Sequence, residues 1–127
     1  ERFERAVKGM KAVDINLQLV YYSPLRRAMQ TAMLLQPMKP KMEVCPLLSV
    51  PPSNGLLALL AQDHTALVGH EPYLSELAGW LLCGQREAGA RFPLKKGGLL
   101  WLEGEPRPGG MGLKAALPPR ILRELGK

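Results

Sequence analysis

Long apolar runs, clustered cysteines and blocks of like charge are all missing from this 127-residue sequence. No apolar stretch approaches the length of a signal peptide or a membrane span, so we expect a soluble, cytoplasmic protein with no membrane partner. Cys45 and Cys83 are far apart and have no metal-binding spacing with each other or with histidine. This predicts two buried, reduced thiols and neither a metal nor a cofactor.

Acidic residues are in the minority, since 17 Lys and Arg stand against 11 Asp and Glu and the formal net charge is +6. The excess favours anionic partners. The basic residues cluster only as pairs, Arg26-Arg27 and Lys95-Lys96, and aromatic residues make up only 6% of the chain. A nucleic-acid partner is therefore ranked below a phosphorylated protein or a small phosphate. The charge does not define an oligomeric state.

The remaining composition is that of one globular domain over residues 1–127, with alternating strand and helix patterns. The apolar spacing predicts helices over residues 1–13, 23–36, 54–61, 73–82 and 120–125, and strands over residues 17–22, 42–45, 65–68, 98–103 and 111–116. We interpret this order as a three-layer α/β/α domain with a mostly parallel sheet, to which a C-terminal antiparallel hairpin is added.

Polar residues follow two of the predicted parallel strands, where ligands bind in open α/β sheets. Ser23 occupies a helix N-cap position with Pro24 after it, so Arg27 should lie just past the first helical turn and project toward the strand ends. His70 leaves the strand over residues 65–68 at the equivalent point, with Gly69 allowing a close backbone approach. A guanidinium and an imidazole at one edge would suit a phosphate group.

Each residue also has an ordinary structural interpretation. Arg27 alone is as readily a solvated helix arginine, and a lone turn histidine such as His70 more often bonds a nearby carbonyl than takes part in catalysis. Arg27 and His70, both anion-binding residue types, occur at the same place in two successive strand–helix units. This recurrence favours a shared phosphate site.

Two segments resemble motifs of the histidine phosphatase (phosphoglycerate mutase-like) superfamily. Residues 23–32 (SPLRRAMQTA) resemble its Ser-Pro-x-x-Arg-Ala-x-Gln-Thr motif, and residues 67–72 (LVGHEP) resemble its Val-Gly-His-x-Pro motif. The short length and residues 94–98 and 117–120 (LKKGG and LPPR) are similar to SixA-type phosphohistidine phosphatases in particular. The resemblance runs over nearly the whole chain.

The resemblance implies that Arg27 and His70 bind the phosphoryl group and that Ser23 assists at the pocket wall. It also implies a nucleophilic histidine, transiently phosphorylated, in an Arg-His-Gly motif that ends the first strand. No Arg-His-Gly occurs in the sequence, and we expect the chain to begin after that strand. His64 precedes a strand and is expected to have only a surface role.

These features lead to a metal-independent phosphatase acting on phosphohistidine or a related phosphate ester. The loop over residues 46–51 has no acidic residue that could serve as a proton donor. This favours phosphohistidine as the substrate, because a phosphoramidate nitrogen needs less acid assistance to leave than an alkoxide. The rival hypothesis is a non-catalytic phosphate-binding or interaction domain of the same fold.

Overall fold

The computed structural model describes residues 2–12 and 15–126. Five helices and five strands follow one another along the described chain: α1 (Arg2–Ala12), β1 (Leu19–Tyr22), α2 (Arg26–Met33), β2 (Lys41–Val44), α3 (Asn54–Ala58), β3 (Thr65–Val68), α4 (Tyr73–Cys83), β4 (Leu99–Gly104), β5 (Met111–Leu117) and α5 (Pro119–Leu125). Three short 3-10 segments lie at Gln36–Met38, Pro46–Ser49 and Arg86–Arg91. Every predicted helix and strand is present. The ends of the first predicted helix, Glu1 and Val13, lie outside the described residues.

β1, β2 and β3 form a parallel sheet in the order β2-β1-β3. β1 is central, with Tyr22 paired to Val44 on one side and to Val68 on the other. Its apolar, aromatic-rich sequence suits a strand that is covered on both faces. The in-register pairing brings the carboxyl ends of all three strands to the same edge of the sheet, which we call the carboxyl edge.

Two apolar clusters cover the opposite faces of this sheet. The first contains Val20 together with buried side chains of α1, α2 and α5, and the second contains Leu77 and Leu81 of α4 with Leu56 of α3. Alternate residues of β1 serve the two faces, because successive strand side chains point in opposite directions. The predicted three-layer α/β/α architecture is therefore confirmed.

The C-terminal hairpin differs from the prediction in one respect, because β4 and β5 form a two-stranded sheet of their own. Leu99 and Leu117 pack against the first cluster, whereas Leu102 and Met111 pack against the second. The hairpin thus lies in the middle layer, between the same two helical layers as the parallel sheet. Among the described residues no strand pairs with the outer edge of β3.

Three local features also differ from, or go beyond, the sequence prediction. Residues 86–91, which lie outside the predicted helices and strands, form a 3-10 segment packed against α4. Cys83 is exposed at the end of α4, while Cys45 is buried as predicted, and both thiols are free. Trp101 is only half-buried, and its ring is covered by the ammonium group of Lys114 at 4.4 Å.

The described helices are short. The longest, α1 and α4, have 11 residues each, and none of the described helices has the length and apolarity needed to cross a membrane.

Candidate functional site

The carboxyl edge brings Ser23 and His70 into contact although they are 47 residues apart in the chain. Ser23 follows β1 directly, and its backbone N–H donates to the carbonyl of Val68 at 3.0 Å, which continues the β1–β3 ladder by one residue. His70 lies two residues beyond β3. Its Nε2 lies 2.9 Å from the hydroxyl oxygen of Ser23.

Ser23 does not cap α2 as predicted. The helix begins at Arg26, and the N-cap residue is Leu25, which has an extended backbone and no side-chain cap. The Ser23 hydroxyl instead accepts the N–H of Leu25 at 3.2 Å, a local turn that precedes the helix. The Ser23 hydroxyl is thus engaged with Leu25 and with His70, and the helix begins after this turn.

The hydrogen count at Ser23 assigns a tautomer to His70. Ser23 is fully buried, so its single hydroxyl hydrogen needs a protein acceptor, and one oxygen lone pair already receives the Leu25 N–H. If the hydroxyl donates to Nε2, every polar atom of the serine side chain is satisfied. The imidazole proton then resides on Nδ1, which makes Nδ1–H a donor for an anion.

The Ser23–His70 pair also has the geometry of a nucleophile beside a base, but burial argues against that chemistry. A serine nucleophile must reach a substrate carbonyl or phosphorus atom, and Ser23 has no exposed surface. Its position fits a residue that orients the His70 ring.

Gly69 permits the close packing that holds the His70 turn. A β-carbon at this position would lie 3.3 Å from a methyl group of Leu74 and 3.4 Å from the carbonyl oxygen of Leu48, closer than side chains normally approach. The turn is thus packed against α4 on one side and against the Pro46–Ser49 segment on the other.

Arg27 is in the first turn of α2, two residues earlier in the helix than expected from a cap at Ser23. The side chain is exposed and has no hydrogen bond or ion pair with another described residue. The structure thus places Arg27 at the N-terminal end of α2, which lies at the carboxyl edge. It shows no contact between the guanidinium and His70.

Sequence reasoning missed a polar network on the other side of His70. The carboxylate of Glu71 accepts both the backbone N–H and the hydroxyl of Ser75, and the same hydroxyl also contacts the carbonyl of Phe92 at 2.9 Å. Ser75 is buried, so the network ties the His70 turn to the first turn of α4 and to the end of the Arg86–Arg91 segment. The only sequence signal for it is the spacing of four residues between Glu71 and Ser75.

The described residues contain no group of three or more His, Cys, Asp and Glu side chains that could hold a metal ion. The ionisable groups at the carboxyl edge include the imidazole of His70, the guanidinium groups of Arg26 and Arg27 and the carboxylate of Glu71. The imidazole and the guanidinium groups can bind an oxyanion through their N–H donors.

The layer order, the parallel sheet and the terminal hairpin define a phosphoglycerate mutase-like α/β fold. The chain resembles the solved "putative phosphohistidine phosphatase SixA from Agrobacterium tumefaciens" with a TM-score of 0.71 and 18% sequence identity, over 91% of this chain and 77% of that chain. No protein-family model and no curated protein matches the sequence. At this identity the likeness establishes the fold.

Proposed function

We propose that this protein is a phosphatase that hydrolyses phosphohistidine, or a related phosphate ester, through a phosphohistidine intermediate on the enzyme. The observation that carries the proposal is the hydrogen bond between Ser23 and His70 at the carboxyl edge, beside the helix that presents Arg27. The resemblance of residues 23–32 and 67–72 to histidine phosphatase motifs and the similarity of the fold to a SixA structure both support it.

Arg27 and His70 would hold the phosphoryl group from two sides in this reaction. The guanidinium offers several N–H donors in a fixed plane, and the Nδ1–H of His70 adds one more. Both residues keep these donors free of described protein acceptors. Ser23 would act through His70, by fixing the ring and its tautomer, rather than by touching phosphate.

The proposed nucleophile is a histidine on an additional strand. The 127 residues contain only one other histidine, His64, which is exposed in a turn before β3 with a φ angle of 59°. The outer edge of β3 has no partner among the described residues, and its carboxyl end leads directly to His70. A strand paired there would deliver a side chain to the carboxyl edge beside His70.

The chemistry consists of two transfers. The nucleophilic imidazole nitrogen forms a P–N bond as the P–N or P–O bond of the substrate breaks, and water then releases inorganic phosphate from the enzyme histidine. The acidic groups nearest the edge are engaged elsewhere, since Glu71 is bonded to Ser75 and Glu43 lies 3.0 Å from the ammonium of Lys41. This suits a leaving nitrogen that needs little acid assistance.

The test is the replacement Arg27→Ala in a protein that includes the natural upstream coding sequence. We expect turnover of phosphohistidine and p-nitrophenyl phosphate to fall by about 100-fold, because a charged donor to the transferring group is lost. Arg120→Ala removes the same charge from the exposed side of α5 and should leave turnover unchanged. Full activity of Arg27→Ala would refute its role, and an inactive parent protein would refute the function.

A further inference from the structure

An apolar stripe runs along the exposed side of α2. It consists of Leu25, Met29 and Met33, spaced four residues apart, which are 52%, 41% and 38% exposed. The buried side of the same helix has only the small residues Ala28 and Ala32. The larger apolar side chains of α2 therefore face away from the core, the reverse of the usual amphipathic arrangement.

The stripe is continuous with the candidate site. The N–H of Leu25 is bonded to the Ser23 hydroxyl, which in turn contacts His70, and the carbonyl of Leu25 accepts the N–H of Met29. Val44 adds a further exposed apolar side chain, 53% exposed, at the carboxyl end of β2. Its partner in the sheet, Tyr22, packs on the face that α2 covers, so Val44 lies on the same face as α2.

The end of the stripe at the carboxyl edge is basic. Arg26 and Arg27 are the exposed first residues of α2, and neither has an acidic partner among the described residues, whereas Lys41 is paired with Glu43 at 3.0 Å. Exposed methionines at a surface of this kind adapt to differently shaped partners. The surface is thus complementary to an apolar face bordered by carboxylates.

The same charge argues against a second copy of this chain as the occupant. A symmetric contact through the stripe would bring together two chains that each carry a formal net charge of +6. Like charges across an interface oppose association. The partner is therefore expected to be a different, acidic protein.

We propose that the α2 stripe is the docking surface for an acidic phosphoprotein substrate, which binds through an apolar face and presents its phosphorylated side chain to His70. This inference rests on the proposed phosphatase function and names its substrate class. Docking on α2 places the partner next to Arg27, where the helix begins at the carboxyl edge. A small phosphate would use the site without touching the stripe.

Methionine methyl NMR separates phosphate binding at His70 from protein docking on the stripe, because the six methionines include buried and exposed examples. The first titrant is inorganic phosphate, and the second is an acidic histidine-phosphotransfer domain phosphorylated on its histidine. We expect phosphate to shift the amide signals of Gly69 and His70 and to leave the Met29 and Met33 methyl signals in place. The phosphorylated domain should shift both, while the methyl of Met10, which is 5% exposed, stays unchanged.

The variant Met29→Glu adds a charge that repels an acidic partner. We expect its affinity for the phosphorylated domain to fall about tenfold, as for a residue central to an interface, with its affinity for inorganic phosphate unchanged. Ile121→Glu, at a helix residue that is 39% exposed on α5, is the matched control and should bind like the parent protein.

The outcomes are distinguishable. Failure of inorganic phosphate to perturb Gly69 and His70 counts against the proposed function itself. If phosphate binds but the phosphorylated domain does not, or if it binds without moving Met29 and Met33, the docking inference is overturned and the proposed function stands.

Discussion

Ser23 is the residue on which the candidate site depends most directly. Its backbone extends the ladder between β1 and β3, and its hydroxyl joins the turn before α2 to the imidazole of His70. A buried hydroxyl with two partners is costly to remove, because each partner then loses its hydrogen bond.

We therefore predict that Ser23→Ala lowers the free energy of unfolding by about 1–3 kcal/mol and weakens phosphate binding. The control is Ser49→Ala, since the Ser49 hydroxyl bonds only the nearby Pro46 carbonyl in an exposed turn. That variant should change stability by less than about 0.5 kcal/mol. Urea unfolding measures the first effect, and titration with inorganic phosphate measures the second. Equal stability of the two variants would contradict the role given to Ser23.

At the scale of helices and strands, the sequence predicted element types better than element contacts. The strand Thr65–Val68 was predicted at its observed bounds, because its apolar run is flanked by turn residues. The start of α2 was placed two residues early, because a serine before a proline is typical of an N-cap and the contact with His70 comes from a residue 47 positions away. Local patterns cannot carry that information.

The contact between α4 and the Arg86–Arg91 segment illustrates the same limit. A β-carbon on Gly79 would collide with the backbone of Ala88 and Gly89, so the two segments approach as closely as backbones can. The sequence of residues 86–91 (REAGAR) is polar and rich in small residues, which is equally typical of a loop. Only the packing against α4 makes the segment regular.

Helix α1 packs on α5 through a similar close approach, and this contact provides a test at the scale of the element. A β-carbon on Gly9 would collide with the carbonyl oxygen of Leu122, which is fully buried. We predict that Gly9→Ala destabilises the protein by about 2 kcal/mol, because an overpacking cost of about 3 kcal/mol exceeds a helix-propensity gain of about 1 kcal/mol.

The matched control is Gly112→Ala in β5, where no atom lies within 4 Å of the added carbon. Alanine is favoured over glycine in a strand by about 0.5–1 kcal/mol, so this variant should be as stable as the parent protein or slightly more so. Thermal unfolding of both variants measures the difference. A Gly9→Ala variant with an unchanged melting temperature would show that α1 and α5 can separate at no cost.

For the whole molecule, the arrangement of two separate sheets within one middle layer predicts that the backbone amides of β3 are unequally protected from hydrogen exchange. The carbonyl of Val68 accepts from Ser23, so the polar backbone groups of Val68 face β1 and those of Leu67 face outward. No strand among the described residues pairs with that outer edge.

We predict that, in a polypeptide of these 127 residues, the Leu67 amide exchanges its hydrogen much faster than the Val68 amide, and that the central strand β1 is the most protected of the three. Native-state hydrogen exchange of a dilute sample measures this order directly. Equal protection of Leu67 and Val68 would mean that another segment pairs with β3, or that the hairpin closes onto it in solution.

The outer edge of β3 also bears on how a sample of this polypeptide behaves when it is concentrated. A flat row of unsatisfied backbone donors and acceptors is a template for any extended chain, including an identical molecule. Self-association should therefore increase as concentration rises, even though the net charge of +6 keeps dilute molecules apart. A short synthetic peptide that adds a strand to this edge would act as a stabiliser against precipitation.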